Sequence, residues 1–215
     1  MRISVVIGTM RPWMYENIVR NIARQTRQPD KVILVYNKTS IEPNVVLCGI
    51  RDLGIPFVYQ RASDYWGCTG MNRICYDMGC PDSEVMCLFD DDDWYGKEYI
   101  QEVESVFKAH PEAVLTGKGI YRMAWVNHEH PPVMQHASER LPDGQCFSMA
   151  GSTISVNSDI WRSDPRLRID PFAEWGDKDI IEKAKQIGPI YDTGPYNFMV
   201  LRYQESHNHT WKVNL

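Results

Sequence analysis

The chain has 215 residues, 43% of them hydrophobic, and a net charge of −5. That is enough to bury one substantial core or two small ones, and no long basic run offers the clustered Lys and Arg that hold nucleic-acid phosphates. No stretch reaches the roughly 20 apolar residues of a membrane-spanning helix, the opening Met-Arg-Ile-Ser lacks a signal-peptide pattern, and six cysteines with no Cys-x-x-Cys pair read as reduced thiols of a cytoplasmic protein.

In chain order, the β-branched run Ile3 to Ile7 predicts a buried strand. Pro12 suits a first helical turn, and Met14, Ile18 and Ile22 recur at the spacing of one helix face. Gln28-Pro29-Asp30 turns the chain into a second strand, Lys31 to Tyr36, which completes a βαβ unit and so implies a parallel sheet. Pro56 to Tyr59 reads as a short third strand. Gly70 to Met78 reads as a helix stopped by Gly79 and the Cys80-Pro81-Asp82 break.

Val85 to Phe89 is a further buried strand, and it runs straight into four consecutive aspartates, Asp90 to Asp93. Like charges a few Å apart repel by about 1 kcal/mol in water and by about 4 kcal/mol near a protein surface. A cap for the next helix would account for one or two of these carboxylates. A hard divalent cation, which takes oxygen ligands, accounts for the group. Ligands of open α/β sheets bind outside the carboxyl ends of the strands, where this tetrad lies.

Lys97 to Lys108 follows as a helix with Ile100, Val103 and Phe107 on one face. Beyond it, Val114 to Thr116, Ile120 to Val126 and Ser148 to Val156 read as strands without helices between them. The Pro- and His-bearing stretch from Asn127 to Gln145 reads as a binding loop or lid. Asp177 to Ile187 reads as a last amphipathic helix stopped by Gly188, and from Tyr196 the tail is aromatic and polar.

With these residues in place, the chain resembles the family 2 glycosyltransferases. The resemblance is carried by Ser4-Val5-Val6-Ile7-Gly8-Thr9, by Gln25-Thr26-Arg27-Gln28-Pro29-Asp30, by Leu88-Phe89-Asp90-Asp91-Asp92-Asp93 and by Trp175-Gly176-Asp177-Lys178-Asp179. It implies the GT-A fold: an α/β domain with a Rossmann-like, mostly parallel central sheet flanked by helices and a smaller mixed or antiparallel acceptor-side part. Residues 1–215 would form one catalytic domain, about 1–110 binding the nucleotide-sugar and about 111–215 the acceptor, with the chain open to being part of a longer multidomain enzyme. Two departures stand out. Gly176 replaces the family's usual Glu, and Tyr36-Asn37-Lys38 replaces the usual Asp-Asp after the second strand.

The implied activity is metal-dependent, inverting transfer of a sugar from a nucleotide-diphospho-sugar, with UDP as the expected nucleotide, to a hydroxyl of a glycan or other acceptor. Mn²⁺ or Mg²⁺ is the implied cation. Asp92 would ligate it, helped by His209, with Asp93 and His207 as alternatives. Asp90 would lie near the ribose, and Thr9, Arg11, Asn37, Asn72, Asp91 and Arg202 complete the donor-binding set. Asp177 is the implied base for the acceptor proton, with Asp179 and Glu174 as alternatives, and Trp175 the aromatic platform for the acceptor.

Arg166 and Arg168 read as solvated surface arginines, with a phosphate contact as the alternative. His128 and His130 have no further zinc-spaced ligand beside them. Asp91, Asp93, Gly96 and Glu102 match EF-hand spacing, but Tyr95 stands at the fifth position, and the preceding segment reads as a strand. A nucleotidyltransferase, or a non-catalytic sugar-nucleotide-binding subunit, stays open as an alternative.

Overall fold

The computed structural model describes residues 1–37, 43–62, 68–126, 131–173 and 176–203. Strand β1 (Ile3–Thr9) passes through a 3-10 turn at Pro12–Met14 into helix α1 (Tyr15–Ala23), followed by β2 (Lys31–Tyr36), α2 (Asn44–Asp52) and β3 (Phe57–Arg61). Helix α3 (Cys68–Gly79), β4 (Val85–Leu88), the short β5 (Trp94–Tyr95) and α4 (Tyr99–Ala109) close the first half. The second half holds β6 (Leu115–Gly117), β7 (Ile120–Val126), β8 (Val133–His136), β9 (Ser155–Asn157) and α5 (Ser158–Ser163), then α6 (Gly176–Lys185), β10 (Ile190–Asp192) and β11 (Phe198–Tyr203).

Among the described residues these strands form a seven-stranded sheet in the order β10-β6-β9-β4-β1-β2-β3 and a four-stranded sheet in the order β5-β11-β7-β8. In the large sheet only β9 runs against its neighbours. Side-chain alternation along each central strand splits the core into two layers. Ile3, Val5 and Ile7 of β1, with Val85 and Cys87 of β4, pack on the side of α1, α2 and α4. Val6, Met86 and Leu88 face the side of α3, α5 and α6. Helices on both faces explain why the strands read as unbroken apolar runs.

The chain steps outward from β1 to β2 and β3, then returns on the other side of β1 as β4. The carboxyl ends of β1 and β4 therefore flank a switch in strand order, where a crevice opens. Among the described residues no helix is long and apolar enough to cross a membrane. Cys75, Cys80, Cys87 and Cys146 are buried free thiols and Cys48 an exposed one.

Three expectations need correction. The segment read as a strand from Ser148 to Val156 is a strand only from Ser155; a 3-10 turn occupies Gly151–Thr153. Within the stretch read as a loop, Val133–His136 pairs antiparallel with β7, so the small sheet extends into it. The residues from Phe198 belong to β11, which lies between β5 and β7 rather than in a polar tail. The region between β2 and β3, for which the sequence reading offers no element, contributes α2, whose Val46, Leu47 and Ile50 are buried.

Candidate active site

The tetrad is held by its backbone. Beneath it, the Phe89 ring stacks on Tyr95 at 3.9 Å between centroids and meets Tyr99 edge-on at 5.5 Å. The Tyr95 hydroxyl accepts from the Asp90 backbone N–H at 2.7 Å and donates to the Ser152 carbonyl at 2.6 Å, tying the tetrad to the Gly151–Thr153 turn. From the other side, α1 and the turn that follows it present a polar stripe at four-residue spacing. Asn17 donates to the carbonyls of Asp91 and Asp93, Asn21 to that of Asp93, and Gln25 to that of Gly96, all at 2.8–2.9 Å. With the carbonyls tied down, the carboxylates have fixed directions.

Asp90, Asp92 and Asp93 converge: one carboxylate oxygen from each lies within 4.8 Å of the others. Asp92 and Asp93 are buried and Asp90 half-buried. Burial, reinforced by Asp92, Asp93 and Asp91 in turn, pushes the Asp90 carboxyl well above the usual carboxylate range, with Arg11 opposing. Burial and then Asp92 push Asp93 up to about 7, although the Ser152 hydroxyl and the Leu201 N–H, at 3.0 Å, hydrogen-bond its carboxylate. Three converging hard oxygen donors, desolvated and mutually repelling, fit a divalent cation.

Asp91 turns the other way, as alternation along an extended segment requires. It is fully buried and grips the Arg11 guanidinium, whose Nε donates to it at 3.1 Å, while Thr9 Oγ1 also donates to it. Burial raises Asp91 as well, with Arg11 the principal opposing influence. Arg11 Nη1 reaches Asp92 Oδ2 at 2.7 Å. Burial works against this guanidinium, but Asp91 and Asp92 outweigh it and hold it protonated.

A cavity of about 560 Å³ opens over the cluster. Asp90, Asp92 and Asp93 line it, and so does Asp177, in the first turn of α6 and close against Gly151. Two glycines of this lining sit in close contact with neighbouring side chains. A Cβ on Gly151 would overlap the Asp177 carboxylate, and one on Gly176, where the family usually has Glu, would overlap the Thr69 side chain. A Cβ on Gly8 would crowd Asn72 Oδ1, so β1 and α3 approach closely at the crevice.

Of the residues expected at the site, Arg11, Asn72, Asp90, Asp92, Asp93, Asp177 and Arg202 line this cavity. Thr9, Asp91 and Asn37, expected to contact the donor, are buried and do not line it: Thr9 and Asp91 are turned toward Arg11, and the Asn37 backbone N–H donates to the Thr9 carbonyl. Asp179 does not line the cavity either, because its carboxylate pairs with Lys183 at 2.6 Å and accepts from the Asp170 N–H. Arg166 pairs with Asp164, and Arg168 pairs with Asp77 and lies over the Trp161 ring. Glu174, Trp175, His207, His209, His128 and His130 lie outside the described residues. The sequence reading passes over Tyr95, Ser152, Gly151 and the half-exposed Trp13 on the rim. Of the supporting residues, only Asn17, Asn21 and Gln25 leave a trace in the sequence, as polar residues at helical spacing.

A mostly parallel sheet with helices on both faces, a second small sheet and an acidic cluster at the switch point define a GT-A domain, and the chain has that fold. It is similar to the crystal structure of S. aureus TarS 1–349 (TM-score 0.70, 13% identity, 94% of this chain and 60% of that one). It is also similar to that protein in complex with UDP-GlcNAc (0.70, 13%, 96% and 60%). The mannosyltransferase PcManGT from Pyrobaculum calidifontis, in complex with GDP-Man and Mn²⁺, is a third (0.62, 12%, 94% and 56%). The chain thus spans 60% or less of the length of these structures. No protein-family model and no curated protein matches the sequence.

Proposed function

We propose that the chain is an inverting, metal-dependent glycosyltransferase of family 2 that moves a sugar from a nucleotide-diphospho-sugar, with UDP as the nucleotide, to a hydroxyl of a glycan or other acceptor. The observation that carries this reading is the cavity at the β1–β4 switch point, lined by the converging Asp90, Asp92 and Asp93 and by Asp177. The UDP-GlcNAc, UDP and GDP-Man complexes of the similar structures support a nucleotide-sugar donor, and the Mn²⁺ in one of them supports the cation.

Asp92, with Asp90 and Asp93, would hold Mn²⁺ or Mg²⁺. The cation's contribution is stabilisation of the negative charge that develops on the departing diphosphate. Arg11, paired with Asp92, and Arg202, whose charge acts on Asp93, add positive charge to the lining of the cavity. Asp177 takes the proton of the acceptor hydroxyl on its carboxylate as the new C–O bond forms at the anomeric carbon. The bond to the nucleoside diphosphate breaks on the opposite face, which inverts the configuration.

Calorimetric titration of UDP, GDP and dTDP, each with and without Mn²⁺, tests the reading. Mn²⁺-dependent binding of one nucleotide, abolished by Asp92→Ala, is the expected outcome and would fix the donor class. Binding of none of the three under either condition overturns the proposal.

A further inference from the structure

Within the tetrad, Asp91 is the residue whose side chain leaves the cavity, and its partners show what it holds. Arg11 Nη2 contacts Asp91 Oδ1 and Nε donates to Oδ2 at 3.1 Å, a bidentate fork. Thr9 Oγ1 donates to the same Oδ2 and itself accepts the Arg11 backbone N–H at 3.1 Å. Both Asp91 and Thr9 are buried, so the fork is shielded from water. With Nη2 and Nε engaged, Nη1 is delivered to Asp92 Oδ2 at 2.7 Å. One of the three carboxylates suited to a cation therefore already carries a positive charge supplied by the chain.

We propose that Arg11, clamped by Asp91 and Thr9, is a resident counter-ion of the site: it occupies Asp92, so that a divalent cation gains that carboxylate only in competition with the guanidinium. The inference rests on the proposed cation site and adds a regulator to it. Asp91 is a positioning residue, acting through Arg11. Cation affinity in the donor-free protein is then set partly at positions 11 and 91, outside the set of carboxylates that would ligate the metal. A donor diphosphate offers the guanidinium another anionic partner, so donor and cation assist each other's binding.

The test is Mn²⁺ titration of the nucleotide-free protein, followed by calorimetry and by the free-Mn²⁺ electron paramagnetic resonance signal. The informative variant is Arg11→Met combined with Asp91→Asn. It removes one charge of each sign, and the amide oxygen introduced at position 91 can still accept from Thr9, so the net charge of the site is unchanged. Losing one charge-assisted hydrogen bond at Asp92 should tighten Mn²⁺ binding by about tenfold or more. Arg11→Lys keeps the charge and loses the fork; it should tighten binding by less, and it serves if the double variant fails to fold. Mn²⁺ affinity equal to or weaker than wild type in the folded variants, with Asp92→Asn still abolishing binding, overturns the role of Arg11 and leaves the cation site standing. No Mn²⁺ binding in any form of the protein overturns both.

Discussion

Replacing Asp93 by Asn should remove a pH dependence built into the site. Asp93 is 3% exposed. Burial, and then the charge of Asp92, move its carboxyl from the ordinary 3.8 to about 7. In the unfolded chain the group titrates near 3.8, so between these values the folded state binds a proton that the unfolded state has released. The contribution of Asp93 to stability is therefore greatest below about pH 4 and falls as the pH rises toward 7, because at this group the native state binds more protons over that interval. About three pH units at about 1.4 kcal/mol each give a loss of about 4 kcal/mol. Asn carries no charge and still accepts the Leu201 N–H. The assay is urea unfolding of both proteins in EDTA at pH 5, 6, 7 and 8. The stability of Asp93→Asn relative to wild type should rise across the series by a few kcal/mol, most steeply between pH 5 and 7, with unchanged m-values. A difference that stays flat from pH 5 to 8 would refute the claim that the buried tetrad stores this repulsion.

The same repulsion should make the rise in Tm produced by Mn²⁺ larger at pH 8 than at pH 6, since the cation must displace protons at the lower pH; an equal rise at both would count against ligation by Asp90 and Asp93. Tyr95→Phe keeps the ring stack but leaves the Asp90 N–H and the Ser152 carbonyl without their partner, a cost of about 2 kcal/mol, or about 4–8 °C in Tm for a chain of this size. Calorimetric melting checks this, and a change below about 1–2 °C by the same scale would exclude the tie. Gly151→Ala should displace the Asp177 carboxylate, lowering the rate of transfer from a nucleotide-sugar by about tenfold or more while nucleotide affinity is kept, because small misplacements of a catalytic group are costly. Asp177→Asn should abolish turnover and preserve nucleotide binding. Asp179→Ala, by contrast, should lower stability through the lost Lys183 pair while turnover persists, and steady-state kinetics of the two variants separates base from buttress.

Periodicity in the sequence located β1, β2, β4, β7, α1, α3, α4 and α6, because side chains that face a buried layer repeat at the period of their own element. Asp90–Asp93 stood out for a similarly local reason: four adjacent carboxylates repel one another whatever the rest of the chain does. Asp177 was singled out by the family resemblance alone, since the start of an amphipathic helix accounts for an aspartate by itself. The tertiary structure decided which of these groups share a cavity. Arg11 and Asp91 are 80 residues apart, Tyr95 and Ser152 57, and Asp93 and Leu201 108. Their contacts exist only once distant strands have paired. The pairings of β8 with β7 and of β11 with β5 and β7 were hidden for the same reason, since ladder hydrogen bonds are made by backbone that every sequence carries alike. The sequence by itself determined that acids gather at the end of a buried strand. Long-range closure decided that three of them face an opening and the fourth holds an arginine.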